Sequence, residues 1–475
     1  MKIKSFFAAI LAVFAFSACN NEVVSLQPET EESLANEDMD SQKKGYLILN
    51  LVNPATTRTS VGDSETDLGS DDENRINSLT VVFANKSGLI TSVMTPEEME
   101  GLTAKFQVAL GGHYVYALVN SPIVVEEGQN INRVIEVASE EDATKGYKNG
   151  SFMMINKSNG GSEDVGVHTF ISEKHSVNNP AIVYIQVDRI ACKIYDATEA
   201  PVNVAFSEST KTVVDNVDVI GFALLNVNKK FNLIQTWSKD NDLLEEILLT
   251  PLYSGTGLIA DQYFHNISNY TTLGKTNGDI TSITDITRGV SNIYGRVPVY
   301  ATENRPTIID MGDDGITSGR AETTGVIYKV QAKKGTVNAE TFYKYNNIVY
   351  KNLADIQVFP EFNDKELGEI GIPELRGLGI KVYEDGVMYY TYYIRDKNTA
   401  HQYGGENYYG VFRNSSYVLS ISKISSIGDD VPGGGVVDPE KEDGPGNPPI
   451  DRQEAYISIT LMVNPWILNN ISIDF

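Results

Sequence analysis

Five histidines (His113, His168, His175, His265 and His401), two cysteines and one dense acidic turn are the residues of this 475-residue chain best suited to bind a metal or attack a bond. The histidines are scattered, and no His-Glu-x-x-His occurs, so each reads as a surface or packing residue. The turn Asp310-Met-Gly-Asp313-Asp314-Gly315 concentrates carboxylates but lacks the alternating ligand spacing of a calcium loop, so it reads as an ordinary turn. Gly433-Gly434-Gly435 is followed by Val436 and not by Lys and Ser or Thr, which excludes a phosphate loop. No Gly-x-Ser-x-Gly elbow is present. Tyr389, Tyr390, Tyr392 and Tyr393 would split onto both faces of a strand, so β-propensity explains them better than ligand stacking. The expectation is a non-enzyme with no catalytic residue, metal or cofactor.

The cysteines carry a different chemistry. Lys2 and Lys4 precede an apolar run, Phe6 to Phe16, that is too short to span a bilayer as a helix. It ends in Ser17-Ala18-Cys19, which resembles the lipobox of bacterial lipoprotein signal peptides. That resemblance implies cleavage before Cys19 and acylation of its thiol and amine, with palmitate as an expected chain. Nothing later reads as a transmembrane helix, so the membrane is reached through lipid on the precursor only. Cys192 is then alone, without an intramolecular disulfide partner or a Cys-based zinc site.

The elements that must position any site are strands. Hydrophobic residues make up 41% of the chain, enough for ordinary cores, and 25 tyrosines with abundant Val, Ile and Thr favour β-structure. The formal charge of −25 excludes a general basic surface for nucleic acid. Tyr46-Leu-Ile-Leu-Asn-Leu-Val52 predicts a strand with Leu47, Leu49 and Leu51 on one face, stopped by Asn53-Pro54. Further strands are expected over 76–84, 113–120 after a turn at Gly111-Gly112, 181–187, 189–195, 293–301, 325–332, 379–383, 387–394 and 417–424. Residues 217–227 and 231–234 read as a pair joined at Asn228-Lys229-Lys230. Residues 137–179 read as loop with short helical pieces, and 336–357 as the place for a helix. Many short strands between turn signals predict an all-β fold of two tandem β-sandwiches, with a boundary near residue 190.

The two ends of the mature chain share a pattern. Leu47, Leu49 and Leu51 fall opposite Ile457, Ile459 and Leu461 when Tyr46 is set against Tyr456; Asn53 then falls opposite Val463. Any two edge strands alternate, so the pattern alone does not establish a shared groove. The context adds to it: one copy precedes Arg58, and the other follows a Gly/Pro-rich acidic stretch over 428–454.

Together these features resemble the fimbrillins of the Bacteroidales, the type V pilins of the FimA and Mfa type. The motifs that carry the resemblance are Ser17-Ala18-Cys19, Thr57-Arg58-Thr59, Asp72-Glu73 through Phe83, Arg413-Asn414 through Ile424, and Val463-Asn464-Pro465-Trp466. The long linker looks most like that of a short-fimbria major subunit. The resemblance implies transthyretin-like sandwiches and a lipid-anchored precursor at the outer membrane. An Arg-specific protease would cut between Arg58 and Thr59, with Arg75 as the competing site. The strand of Leu47, Leu49 and Leu51 would leave. A donor strand of Ile457, Ile459, Leu461 and Val463, continued by Ile471, Ile473 and Phe475, would fill the groove of another copy.

The implied organisation is a signal peptide over 1–18, a lipidated tether with the removable strand over 19–58, an N-terminal sandwich over 59–190, a C-terminal sandwich over 191–427, a linker over 428–454 and donor strands over 455–475. The expected function is a structural subunit of a cell-surface fimbria acting in adhesion. Its partners would be copies of itself, tip and anchor subunits, the protease, and a host or bacterial surface ligand that the sequence does not identify. The alternatives are a tip or anchor subunit, or a monomeric surface lipoprotein that binds a glycan or host ligand.

Overall fold

Eleven strands build the first half of the molecule. In chain order they are β1 (Asp40–Val52), β2 (Leu79–Ala84), β3 (Ile90–Met94), β4 (Met99–Glu100), β5 (Thr103–Val119), β6 (Ile135–Val137), β7 (Tyr147–Lys148), β8 (Ser151–Phe152), β9 (Met154–Asn156), β10 (Val167–Ile171) and β11 (Ala181–Arg189). The computed structural model describes residues 40–52, 70–137, 147–157, 165–249, 299–431 and 457–465, with gaps at 98, 149–150, 197, 199–200, 228–229, 241–244, 305, 307, 311–315, 320–322 and 397–408. The main sheet runs β1-β11-β9-β5-β2-β3, with β4 and β10 also on β5 and a further pairing of β1 with β5.

β5 organises this half. Its residues 103–110 pair with β1, and its residues 111–119 pair with β10 and β2. The sheet thereby closes over one core, where Leu47, Leu49, Phe106 and Val183 meet Leu79, Val81, Phe83 and Val115. The glycine pair Gly111-Gly112, expected as a turn, lies inside this strand. Gly111 has φ of 126°, a conformation closed to side chains with a Cβ, and it lets one strand serve both layers. The strand expected over 113–120 is therefore the second half of a longer one.

The second half contains β12 (Ala191–Asp196), β13 (Asn216–Leu225), β14 (Lys230–Asn232), β15 (Thr236–Asp240), β16 (Glu245–Leu249), β17 (Val299–Thr302), β18 (Ile308–Asp310), β19 (Ile316–Ser318), β20 (Gly325–Lys334), β21 (Val337–Asn338), β22 (Phe342–Tyr345), β23 (Ile348–Tyr350), β24 (Lys381–Tyr383), β25 (Val387–Tyr393), β26 (Ser415–Ile424) and β27 (Ile457–Pro465). One sheet runs β17-β12-β26-β27; another runs β13-β20-β21, with β25 on β20. Cys192, Ile194, Tyr417 and Leu419 of the first sheet pack on Val217, Phe222, Tyr328 and Tyr390 of the second, which makes a β-sandwich. β11 ends at Arg189 in one sheet and β12 begins at Ala191 in the other, so the chain changes sheets at Ile190.

The fold is all-β in the main, as the alternation predicts. Three local readings differ. β13 pairs with β20, and β14 with β6 of the first half, so 217–227 and 231–234 are not a hairpin. Residues 137–179 contain strands β7 to β10. Residues 336–357 hold the β22–β23 hairpin and only a four-residue helix, Ala354–Gln357. In each case a partner distant in sequence, or a side chain packed from elsewhere, decides what local propensity leaves open.

Candidate functional site

β1 lies in the interior of its sheet. It is antiparallel to β5, with Leu47 opposite Phe106 and Leu49 opposite Ala104, and parallel to β11, with Leu47 opposite Ala181 and Leu49 opposite Val183. Leu47, Leu49 and Leu51 are 0%, 0% and 4% exposed, so the face chosen by alternation is the buried one. Each such side chain contributes roughly 1.5–3 kcal/mol on burial. The ladders on both sides add backbone bonds, and Tyr46 N also donates to His175 O at 2.9 Å.

The outward face of β1 carries its cross-strand side-chain bonds to β5. Gln107 Nε2 donates to Tyr46 Oη at 2.5 Å, and Thr103 Oγ1 donates to Asn50 Oδ1 at 2.7 Å. Beside them opens a cavity of about 900 Å³, lined among others by Tyr46, Met94, Met99, Glu100, Lys105 and Gln107. At the entry to the strand the fit is close: a Cβ on Gly45 would stand 2.5 Å from Ile171 Cγ2.

β27 occupies a different kind of position. It is antiparallel to β26, with Ile459 opposite Ile421, Leu461 opposite Leu419 and Val463 opposite Tyr417. It closes one end of the sheet and pairs with β26 alone among the described strands. The residues it faces across the ladder have their own side chains in the core of the sandwich. Within one chain, then, the terminal strand rests on its own body.

The expected linker starts later than residue 428. Lys381 and Arg376 bond Asp429 and Asp430 at 2.6 Å each, and Tyr383 Oη donates to Gly428 O at 2.8 Å. Gly428 passes so close that a Cβ there would meet Tyr389 O at 2.3 Å. These contacts fix the chain to the body through Asp430.

A polar cluster that alternation does not reveal joins the two halves. Helix α1 (Asp71–Asn74) begins with a capping box, in which Ser70 and Glu73 satisfy each other's backbone N–H. Glu73 is buried; its carboxylate accepts from Lys193 Nζ at 3.0 and 3.1 Å and from Tyr300 Oη at 2.8 Å. Arg189, fully buried, donates to Glu73 O, Asn74 Oδ1 and Asn414 Oδ1. Arg413 reaches Glu303 and the Leu233 and Asn232 carbonyls. Ser70-x-x-Glu73 is a pattern from which the capping box could have been read but was not; Lys193 and Arg189 carry no comparable signal.

Of the residues singled out by the sequence, Leu47, Leu49 and Leu51 form the buried face of β1, and Ile457, Ile459, Leu461 and Val463 lie in β27. Cys19, Arg58, Thr59, Ile471, Ile473 and Phe475 lie outside the described residues, as do His265 and His401. His113 is buried, its Nε2 donates to Ala109 O at 2.8 Å, and burial lowers its pKa. Among the described residues no group of three or more His, Cys, Asp or Glu is arranged to hold a metal ion, and no helix is long and apolar enough to cross a membrane.

Residues 381–471, from β24 through β27 and beyond, match the family model described as major fimbrial subunit protein type IV, fimbrillin, C-terminal. The resemblance to fimbrillins is borne out over that segment. Solved structures similar to this chain include a fimbrilin (FimA) from Porphyromonas gingivalis W83, at 12% identity and a TM-score of 0.43 over 90% of this chain and 98% of that one. The tip fimbrial protein Mfa3 from Porphyromonas gingivalis is similar at 10% identity and a TM-score of 0.35 over 89% of this chain and 100% of that one. A fimbrial assembly protein from Parabacteroides distasonis is similar at 10% identity and a TM-score of 0.30 over 80% and 91%. No curated protein matches.

Proposed function

We propose that this chain is a structural subunit of a cell-surface fimbria, acting in adhesion and polymerised by protease-triggered strand exchange. One observation carries the reading: β1, which precedes Arg58 in the chain, is an interior strand with its leucines in the core, and β27 repeats its apolar spacing. Removing β1 would leave a groove bounded by β5 and β11, with equal pocket spacing for Ile457, Ile459 and Leu461 of another copy. A head-to-tail contact of this kind makes an open filament. Lipid on Cys19 would hold the precursor at the outer membrane until an Arg-specific protease cuts after Arg58. Tip and anchor subunits complete the set of partners. An anchor would keep its first strand, so surface material with Arg58–Thr59 intact would mark this chain as that subunit.

The surroundings of Arg75 favour Arg58 as the cut. Arg75 caps α1, its carbonyl accepts from Asn120 Nδ2 at 2.7 Å, and Ile76 beside it is fully buried. Glu73 and Asn74 on its other side are held by Lys193 and Arg189. A protease would have to unfold this corner to read an extended substrate. Limited trypsin on the precursor should therefore cut first after Arg58 and release a body that begins at Thr59, as read by mass spectrometry. First cleavage after Arg75, with Arg58 protected, would overturn the assignment. Cys19→Ala should abolish lipidation and surface filaments; normal filaments from that variant would remove the anchor from the scheme.

The pairing of β27 with β26 supports a second reading, a monomeric surface lipoprotein whose terminal strand stays on its own body. Size measurement after Arg-specific proteolysis separates the two: growth to multiples of the chain mass supports exchange, and a persistent monomer supports the lipoprotein.

A further inference from the structure

We propose that Gln107 and Thr103 set the register of the incoming strand by bonding Tyr456 and Thr460 of a second copy. The proposal rests on the strand-exchange reading above. An apolar face specifies which side of a strand is buried, but it does not by itself reject the slip of two residues that brings Ile459 to the place of Leu47, which keeps that face apolar. Something else must fix the register.

In the β1 seat that role falls to the outward face. Gln107 bonds Tyr46, and Thr103 bonds Asn50; the acceptors are four residues apart on β1 and the donors four apart on β5. With Ile457 in the place of Leu47, Tyr456 takes the place of Tyr46 and Thr460 that of Asn50. A phenol and a hydroxyl thus return to the positions where Gln107 and Thr103 donate.

Both slips fail, for different reasons. A slip that brings Ile459 to the place of Leu47 keeps the inner face apolar, since Leu461 and Val463 follow. It sets Ser458 against Gln107, where the short side chain falls far from the phenol position, and Met462 against Thr103. The opposite slip sets Glu454 and Ser458 against Gln107 and Thr103, which can still bond them. It places Ala455 in the Leu47 pocket, however, and leaves a cavity there. In register, Ala455 falls on Gly45, where a Cβ would meet Ile171 Cγ2 at 2.5 Å, so the donor enters the seat at Tyr456 and not before it.

The test uses full-length chains cut by trypsin. Val52 is opposite Gln186 and Asn50 opposite Tyr184, so a donor in register sets Met462 against Gln186, and one slipped to bring Ile459 to the place of Leu47 sets it against Tyr184. Directly opposed strand residues lie within disulfide reach. Chains carrying Met462→Cys should cross-link about tenfold better to chains with Gln186→Cys than to chains with Tyr184→Cys, the gain expected of two ordinary hydrogen bonds. Adding Gln107→Leu and Thr103→Val to the acceptor chains should erase that preference, with both pairs then cross-linking. Equal cross-linking at 184 and 186 in the parent, or a preference unchanged by the double substitution, would overturn the register assignment and leave strand exchange standing. If cut parent chains neither assemble nor cross-link at either position, strand exchange falls, and the register proposal with it.

Discussion

Lys193→Met should lower the unfolding free energy of the body by about 3–5 kcal/mol, the usual cost of stripping one partner from a buried ion pair. Lys193 is fully buried and Glu73 nearly so. Without the ammonium, the Glu73 carboxylate keeps, among the described residues, Tyr300 Oη and the Ser70 N–H, in a site that is nearly fully buried. The urea midpoint should fall with little change in slope, because the surface exposed on unfolding is the same. Adding Glu73→Gln to Lys193→Met should recover most of the loss, since a neutral amide preserves the capping box and removes the orphaned charge. A Lys193→Met loss of less than about 1 kcal/mol, the value of a surface pair, would mean that water reaches the junction.

Ile459→Asp should reduce filament assembly by roughly two to three orders of magnitude, because inserting a strand would then bury an uncompensated carboxylate. Ser458→Asp and Thr460→Asp should assemble nearly as the parent does; in the seat, residue 458 would oppose Lys105, and residue 460 would oppose the Thr103 hydroxyl. The measurement is filament length by electron microscopy after Arg-specific cleavage. Far-ultraviolet circular dichroism and thermal midpoint of the uncut chain report on folding, because Ile459 also stands opposite Ile421 in the self-docked strand. Normal assembly of Ile459→Asp would move the donor elsewhere in the chain. Failure of Ser458→Asp and Thr460→Asp as well would mean a strand buried on two faces.

Strands with one wet face and one dry face were legible because their period is two. Leu47, Leu49 and Leu51 belong to such a strand, and so does β11; β20 and β26, buried on both faces over much of their length, are legible instead as runs of strand-forming residues. Pairing was less legible: β14 joins β6 across nearly a hundred residues of chain, and no local pattern encodes that choice. Gly111-Gly112 reads as a turn by composition, but flanking ladders hold the pair inside β5. The buried cations were hidden for another reason. Lys193 sits in a run of otherwise strand-forming residues and reads there as the solvated face. It is dry only because α1, more than a hundred residues earlier, supplies Glu73. In the candidate site the apolar spacing was visible from sequence, whereas Gln107 and Thr103, the polar markers beside it, required the register of β1 on β5.

Among the described strands, β27 is bonded along one side and β1 along two. A strand that moved from the first kind of place to the second would trade one ladder of backbone bonds for two. Such a trade would bare the flank of β26 that β27 covers. A free flank of ten residues invites sideways sticking between filaments. β26 is already fitted to stand uncovered: its pairing with β27 is interrupted by a bulge between Ile421 and Lys423, and Ser422 and Lys423 are exposed there. A kink and a cation at the margin of a sheet discourage a foreign strand from docking. In a filament built by strand exchange, the margin on which the terminal strand now rests would keep neighbouring fibres apart.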